Sequence, residues 1–270
     1  MPAFVNEARR PLPHETQTNG CFETMRAYHR RIFRLEDHLD RLYASAAFLG
    51  TRIPANRGLL RRQLLSALAT SGIREAVVRI ALMPQPHGLA SPSIVVQPVS
   101  VLPPSAYRRG LRVAVVPTRA YAVGAITPQA KYSARLGSVL AVLDAQQRGA
   151  DEALFLDPTG YVTESTASNF GIVREGTILL PPCWLGLLAG ITRDVLFELG
   201  TSIRVPVHET CLTRHELYNA QEAFLLSTLK EVMPVTNIDG RRIANGRPGP
   251  ISKRLQRAFR QLLRRELHLP

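Results

Sequence analysis

Lysine is almost missing from this chain: its 34 basic residues comprise 31 arginines and three lysines, Lys131, Lys230 and Lys253. The arginines are scattered, so the net charge of +13 reads as a coding preference for arginine and not as a surface built for nucleic acid. The one dense basic stretch, Lys253 to Arg265, carries Leu255, Phe259, Leu262 and Leu263 at helical spacing and is expected to be an amphipathic helix with a solvated basic face. Cysteine is sparse too. Cys21, Cys183 and Cys211 lie far apart, which excludes a disulfide scaffold and metal-ligand spacing and fits a reducing, cytoplasmic setting. The most apolar stretch, Ile178 to Ile191, falls short of the about 20 residues a membrane span needs and contains Pro181, Pro182 and Gly186. The opening MPAFVNEARR has no apolar segment of the secretory kind, so no export signal is expected.

What is present is a globular composition, 45% hydrophobic and 20% charged over 270 residues, enough for one large core or two modest ones. Gly20 to Tyr28 alternates loosely and predicts a strand. Glu36 to Leu49 places Leu39, Leu42, Ala46 and Leu49 on one face and predicts a helix stopped by Gly50. A second helix is expected from Arg57 to Ala69, and strands at Ala76–Met83, Ser93–Val99 and Gly110–Val116. This gives a small α+β domain over residues 1–117. Pro117, Gly124 and Pro128 in a segment without a period mark an interdomain connection over 118–130. A larger domain over 131–270 makes the whole an α/β protein. It opens with a helix, Ser133 to Gln147, that sets Leu136, Val139, Leu140 and Leu143 on one side. The hairpins EALFLDPTGYVTES and NFGIVREGTILL follow, then a helix over Thr192–Leu199 and a strand over Ile203–His208. A short helix near Thr213–Tyr218, a strand over Glu222–Thr228 and the C-terminal helix complete it.

The rarity of lysine bears on chemistry. Arginine stays protonated and cannot form a Schiff base, whereas a desolvated lysine can lose its proton and attack a carbonyl. The three lysines are therefore the three candidates for such work, and of these Lys230 and Lys253 read as exposed.

Several separated segments converge on one reading of Lys131. They are GCFETMRAY and FRLEDHLDRLYASAAFL before it, and GADEALFLDPTGYVTESTASNFGIV, LLAGITRDVLFELG and EAFLLSTLKEVMPVTNIDGRRIANGRPGP after it. In this order and spacing, over about residues 20–265, they resemble the fold-type IV pyridoxal-phosphate (PLP) enzymes, the aminotransferase class IV family. That family includes branched-chain and D-amino acid aminotransferases and aminodeoxychorismate lyase. The resemblance implies the class IV (D-amino acid aminotransferase-like) fold, PLP as cofactor, and no metal. Its partners would be an amino acid and a 2-oxo acid as substrates and a second copy in a homodimer, with neither nucleic acid nor membrane. Lys131 matches the lysine that binds PLP and moves the proton between Cα and the cofactor. Glu164 matches the carboxylate that keeps the ring nitrogen protonated, and Arg41, Ile191, Thr192 and Thr228 match the phosphate ligands, with Gly190-Ile191-Thr192 opening a helix. On the substrate side, Phe22, Arg79, His87 and the backbone amides of Leu229-Lys230 are the expected contacts.

The sequence departs from the family in places. Glu164 is followed by Ser165 where the family has glycine, Val77 replaces an aromatic residue two before Arg79, and LMPQPHG replaces the usual end of that strand. The segment before Gly20 is abbreviated and reads Thr18-Asn19-Gly20 where Gly-Asp-Gly is usual, so the small domain is expected to lack a strand. Three functions stay open. One is transamination between branched-chain, other apolar or D-amino acids and a 2-oxo acid. The second is lysis of aminodeoxychorismate to 4-aminobenzoate and pyruvate, and the third is an inactive PLP-binding or nucleic-acid-binding relative.

Overall fold

The computed structural model describes residues 20–53, 56–84, 89–100, 102–116, 129–133 and 136–269. The expected interdomain connection therefore lies mostly outside the described residues, as does His87.

Four strands form an open sheet in the order β2-β1-β3-β4, with β1 at Cys21–Tyr28, β2 at Arg31–Ile32, β3 at Ala76–Pro84 and β4 at Ala90–Pro98. β1 and β3 run antiparallel with Phe22 opposite Ala81 and Thr24 opposite Arg79. β4 starts three residues earlier than its sequence suggests and includes Pro92, which is tolerated because β4 is an edge. Helices α1 (Leu35–Phe48) and α2 (Arg57–Ser71) cover one face of this sheet. In α1 the buried residues Leu35, Leu39, Leu42 and Ala46 follow the helical period, and Glu36 and Asp37 place negative charge on its first turn. In α2 the Asn56 side chain accepts from Leu59 N, and Gly72 ends the helix at a φ of 67°.

The second sheet closes on itself. Strands β5 (Leu111–Val115), β6 (Glu152–Leu156), β7 (Val162–Ser165), β8 (Asn169–Arg174), β11 (Glu222–Ser227) and β12 (Glu231–Ile238) pair in the ring β8-β11-β12-β5-β6-β7-β8. Short strands β9 (Thr177–Leu180), β10 (Val207–Glu209) and β13 (Arg241–Arg242) extend it. Every ring strand sends apolar side chains into one cluster, among them Val113, Leu154, Val162, Phe170, Leu225 and Met233, so the ring is a packed barrel. On its outside lie α5 (Ile191–Ser202) and α7 (Pro250–Glu266), which bury Leu196, Leu255 and Phe259 together with Phe33 and Tyr28 from the four-stranded sheet's side. Phe33 and Phe259 meet edge to face, 5.6 Å between ring centroids. The strand residue Glu222 caps α7, accepting from Ile251 N at 2.8 Å and Ser252 N at 2.7 Å. A side chain at Gly249 would collide with that carboxylate.

Several expectations shift. The strand expected from Ile203 begins at Val207, because Ile203 still caps α5 and Arg204 turns the chain at a φ of 53°. Helices α3 (Pro104–Arg109) and α6 (Arg214–Tyr218) flank the barrel, and α3 has no counterpart among the expected elements. Neither has β12, whose Pro234 argues against a strand; it fits because β5 runs alongside β12 only from Val235 onward. Helix α4 (Leu136–Gln147) forms, but it buries Ala141 and Ala145 and leaves Leu136, Val139, Leu140 and Leu143 each at least 50% exposed. No helix among the described residues is long and apolar enough to cross a membrane.

Candidate active site

The site begins where β1 meets the segment around Lys131. Phe22 N donates to Lys131 O at 3.1 Å, Ser133 N donates to Gly20 O at 2.8 Å, and Cys21 pairs with Tyr132. Lys131 N donates to Ser45 Oγ of α1 at 3.0 Å, so the lysine's backbone is fixed from two sides. Its Nζ lies 4.8 Å from the centroid of the buried Phe22 ring, and the Arg79 guanidinium carbon lies 5.6 Å from the same centroid. Phe22 packs with Ala81, Met83 and Val95 on the sheet face that α1 and α2 do not cover. Three of the expected residues are thus brought together.

The neighbouring side chain on β1 points the other way. Glu23 is fully buried and accepts from Arg41 Nε at 2.6 Å, Arg41 NH2 at 2.9 Å and His38 Nδ1 at 2.8 Å. Burial would raise its carboxyl, but the Arg41 guanidinium and His38 together hold it well below the usual carboxylate range. An ionised carboxylate only accepts, so the His38 proton sits on Nδ1. Burial lowers His38 below the ordinary imidazole value, against the pull of Glu23, with Arg41 and Lys131 adding to the lowering. Neither Glu23 nor His38 stands out in the sequence. The signal was a glutamate in an otherwise core-like strand and a histidine one helical turn before Arg41.

Arg41 also donates through NH1 to Ala189 O at 2.8 Å, which ties it to the loop before α5. The same loop meets Glu164: Leu188 N donates to Glu164 Oε2 at 3.2 Å, and Asn169 Nδ2 bridges to Glu164 Oε2 at 3.3 Å and to Leu188 O at 2.8 Å. Asn169 crowds Gly190 so closely that an added Cβ would collide with its Oδ1, so only glycine fits at the helix start. Gly190 caps α5 without a side-chain cap, leaving the N–H groups of its first turn, at Ile191 and the buried Thr192, as donors at the positive end of the helix. Ser165 follows Glu164 inside β7 and is not among the positive-φ residues, so serine stands there without strain.

Thr228, Leu229 and Lys230 form the turn between β11 and β12. Arg26 NH1 reaches from β1 to Leu229 O at 3.4 Å and Glu231 Oε1 at 2.8 Å, and Tyr28 OH donates to the same oxygen at 2.9 Å. Tyr107 OH donates to Lys230 O at 3.1 Å; burial pushes this phenol up to about 12, so it keeps its proton. Of the two amides expected to hold a carboxylate, Lys230 N already donates to Ser227 Oγ at 3.2 Å. The expectation that Lys230 is exposed needs correction. Its ammonium turns inward to Glu152 Oε2 at 2.7 Å, with side-chain exposures of 16% and 1%. Lys253 is exposed, as expected.

The sequence profile described as amino-transferase class IV matches residues 20–238. A putative branched-chain-amino-acid aminotransferase of Methanocaldococcus jannaschii is 36% identical over 251 residues, 90% of this chain and 87% of the relative. A D-alanine aminotransferase of Listeria monocytogenes is 32% identical over 251 residues, covering 89% and 86%. Among solved structures, the branched-chain aminotransferase of the thermophilic archaeon Thermoproteus uzoniensis with norvaline superposes with a TM-score of 0.84 at 31% identity, over 92% of this chain and 86% of that one. A further branched-chain amino acid aminotransferase, solved with pyridoxamine 5'-phosphate, gives 0.87 at 31% identity over the same shares, 92% and 86%.

Proposed function

We propose that this chain, which belongs to the amino-transferase class IV family, moves an amino group between an amino acid and a 2-oxo acid with pyridoxal 5'-phosphate as cofactor. The observation that carries the reading is the linked set Lys131, Glu23-His38-Arg41 and Glu164 with the α5 N-terminus. It offers an amine, a cation with helix N–H groups, and a carboxylate, with Lys131 acting electrostatically on His38 and Glu164 on Arg41. These residues fit the cofactor. Arg41 uses one N–H each at Nε, NH1 and NH2 within the protein, so two of its five remain for a phosphate beside the donors of Ile191 and Thr192. When bound, the cofactor supplies a carbonyl for an amine and a ring that withdraws electrons.

In this reading Lys131 supplies the attaching amine and carries the proton at the substrate Cα, while Glu164 keeps the ring nitrogen protonated. Glu23 orients Arg41, and Thr228 adds a phosphate contact from the opposite turn. Phe22, Ala81, Met83 and Val95 offer an apolar wall for a branched-chain or other apolar side chain. Arg79, set opposite Thr24 and Val95, suits the second carboxylate of 2-oxoglutarate. The relatives named above are aminotransferases, and nothing in them favours the lyase. We further propose that the chain divides into its two units across 118–130, works in the cytoplasm, and pairs with a second copy through the exposed stripe of α4.

The test is an amino-donor panel. The protein reconstituted with cofactor should show an absorbance band that Lys131→Ala removes, and L-leucine or L-glutamate should convert that band to the pyridoxamine form. Conversion by D-alanine alone would reverse the chirality. Pyruvate release from aminodeoxychorismate without any conversion would overturn transamination.

A further inference from the structure

The turn 228–230 is held from beneath by a contact that the proposed chemistry does not use. Glu152 opens β6 and is buried at 1% exposure, a costly place for a carboxylate unless it is fully paired. Its Oε2 accepts from Lys230 Nζ at 2.7 Å, and its Oε1 accepts from Thr166 Oγ1 at 2.5 Å and Ala153 N at 3.2 Å. Thr166 lies two residues after Glu164, in the bend joining β7 to β8, and Lys230 closes the turn that begins with Thr228. The barrel brings the two segments together, because β6 pairs with β5 and β7, and β12 pairs with β5. One carboxylate therefore connects the segment behind the ring-nitrogen candidate to the turn at the phosphate and carboxylate end.

We infer that Lys230, through Glu152 and Thr166, is a positioning residue that sets the 228–230 turn against the Glu164 bend and so governs how tightly the site holds anionic groups. The inference rests on the function proposed above. Three features make the contact a positioning device and not a general brace. The turn's backbone is already fixed at Lys230 O by Tyr107, at Leu229 O by Arg26 and at Lys230 N by Ser227, so the fold of the hairpin does not depend on the ammonium. The ammonium ties the turn to β6 of the barrel through Glu152, whereas Arg26 ties it to β1 of the four-stranded sheet. Lysine is also the residue this chain otherwise avoids: a compact ammonium on a flexible stem reaches the recessed Glu152, whereas a planar guanidinium is larger and rigid. A shift of about 1 Å in a positioned group is enough to change affinity or rate by orders of magnitude.

The experiment compares wild type, Lys230→Met, the double variant Glu152→Gln/Lys230→Met, Thr166→Val and Thr166→Ser. Cofactor release from each holoenzyme on dilution is followed by absorbance, beside kcat and KM for the amino donor. The double variant removes both charges, so it leaves no unpaired buried ion and serves if Lys230→Met does not fold. In it, cofactor is expected to be held about tenfold more weakly and KM to rise about tenfold, with a smaller fall in kcat. Thr166→Val should move the same way by less, and Thr166→Ser should restore wild-type retention. A double variant with wild-type retention and KM but a lowered melting temperature would overturn the inference and leave a purely structural pair. So would a fall in kcat with KM and retention unchanged. A wild-type protein that retains no cofactor would instead sink the proposed function, which keeps the two failures distinct.

Discussion

In the four-stranded sheet Glu23 is buried between His38 and Arg41, and in the barrel Glu152 is buried between Lys230 and Thr166. The surroundings differ. Among the described residues the sheet ends in two edges, β2 and β4, and draws its stability from α1 and α2 on one face, whereas the barrel strands pair all the way round an apolar filling. The partners differ as well. Glu23 holds a histidine and an arginine that keeps two N–H groups uncommitted, while the described partners of Glu152 are a lysine, a threonine and a backbone amide. The open sheet thus buries a histidine beside its carboxylate, whereas the barrel pairs its buried carboxylate with a lysine and a hydroxyl.

Three changes break or sharpen that contrast. The largest effect belongs to the barrel interior, where Phe170 is 1% exposed and faced by strands that cannot move apart. Phe170→Ala should cost about 3–5 kcal/mol in urea unfolding. A cost below about 1 kcal/mol would mean that the ring collapses onto the cavity and is no stiffer than the open sheet. Acid comes next and acts on the sheet. Folded His38 takes up its proton at a lower pH than the ordinary imidazole value of 6.5, so the unfolded chain binds more protons below that value. Stability is expected to fall as pH drops through 6.5, while Glu23, held below its ordinary 4.5, adds its loss only at more acid pH. His38→Gln should flatten the melting temperature between pH 7 and pH 5, and an unchanged slope would show that the buried triad does not govern the acid response. The smallest effect on folding is expected outside both cores. Leu140→Lys on the exposed face of α4 should alter the unfolding free energy by no more than about 0.5 kcal/mol, yet abolish the concentration dependence of melting that the proposed pairing with a second copy would confer.

Helices α4 and α7 show what a sequence can and cannot tell. Both carry apolar residues at helical spacing, and both helices form. In α7 the stripe Leu255, Phe259, Leu262 and Leu263 is buried against the barrel, whereas in α4 the stripe Leu136, Val139, Leu140 and Leu143 is exposed. Periodicity says that a face needs cover, not what covers it. The candidate site follows the same division. Lys131, Arg41, Glu164 and Thr192 were candidates in the sequence because the order and spacing of their segments resemble a known family. Glu23 and His38 were not, since their role exists only once β1 is laid against α1. Lys230 was misread because its partner is 78 residues away in the chain. Pro234 hid β12 for a related reason, as a proline is excluded from a strand only where a neighbour runs on both sides.

The scarcity of lysine also gives this protein a practical property. Lys230 is locked in its ion pair and Lys131 is half-buried beside Phe22, which leaves Lys253 on α7 as the exposed lysine side chain. On the cofactor-loaded protein with its terminal amine blocked, amine-reactive dyes, cross-linkers and activated resins should therefore attach at one defined place. A sensor surface could carry it in a single orientation without any engineered tag.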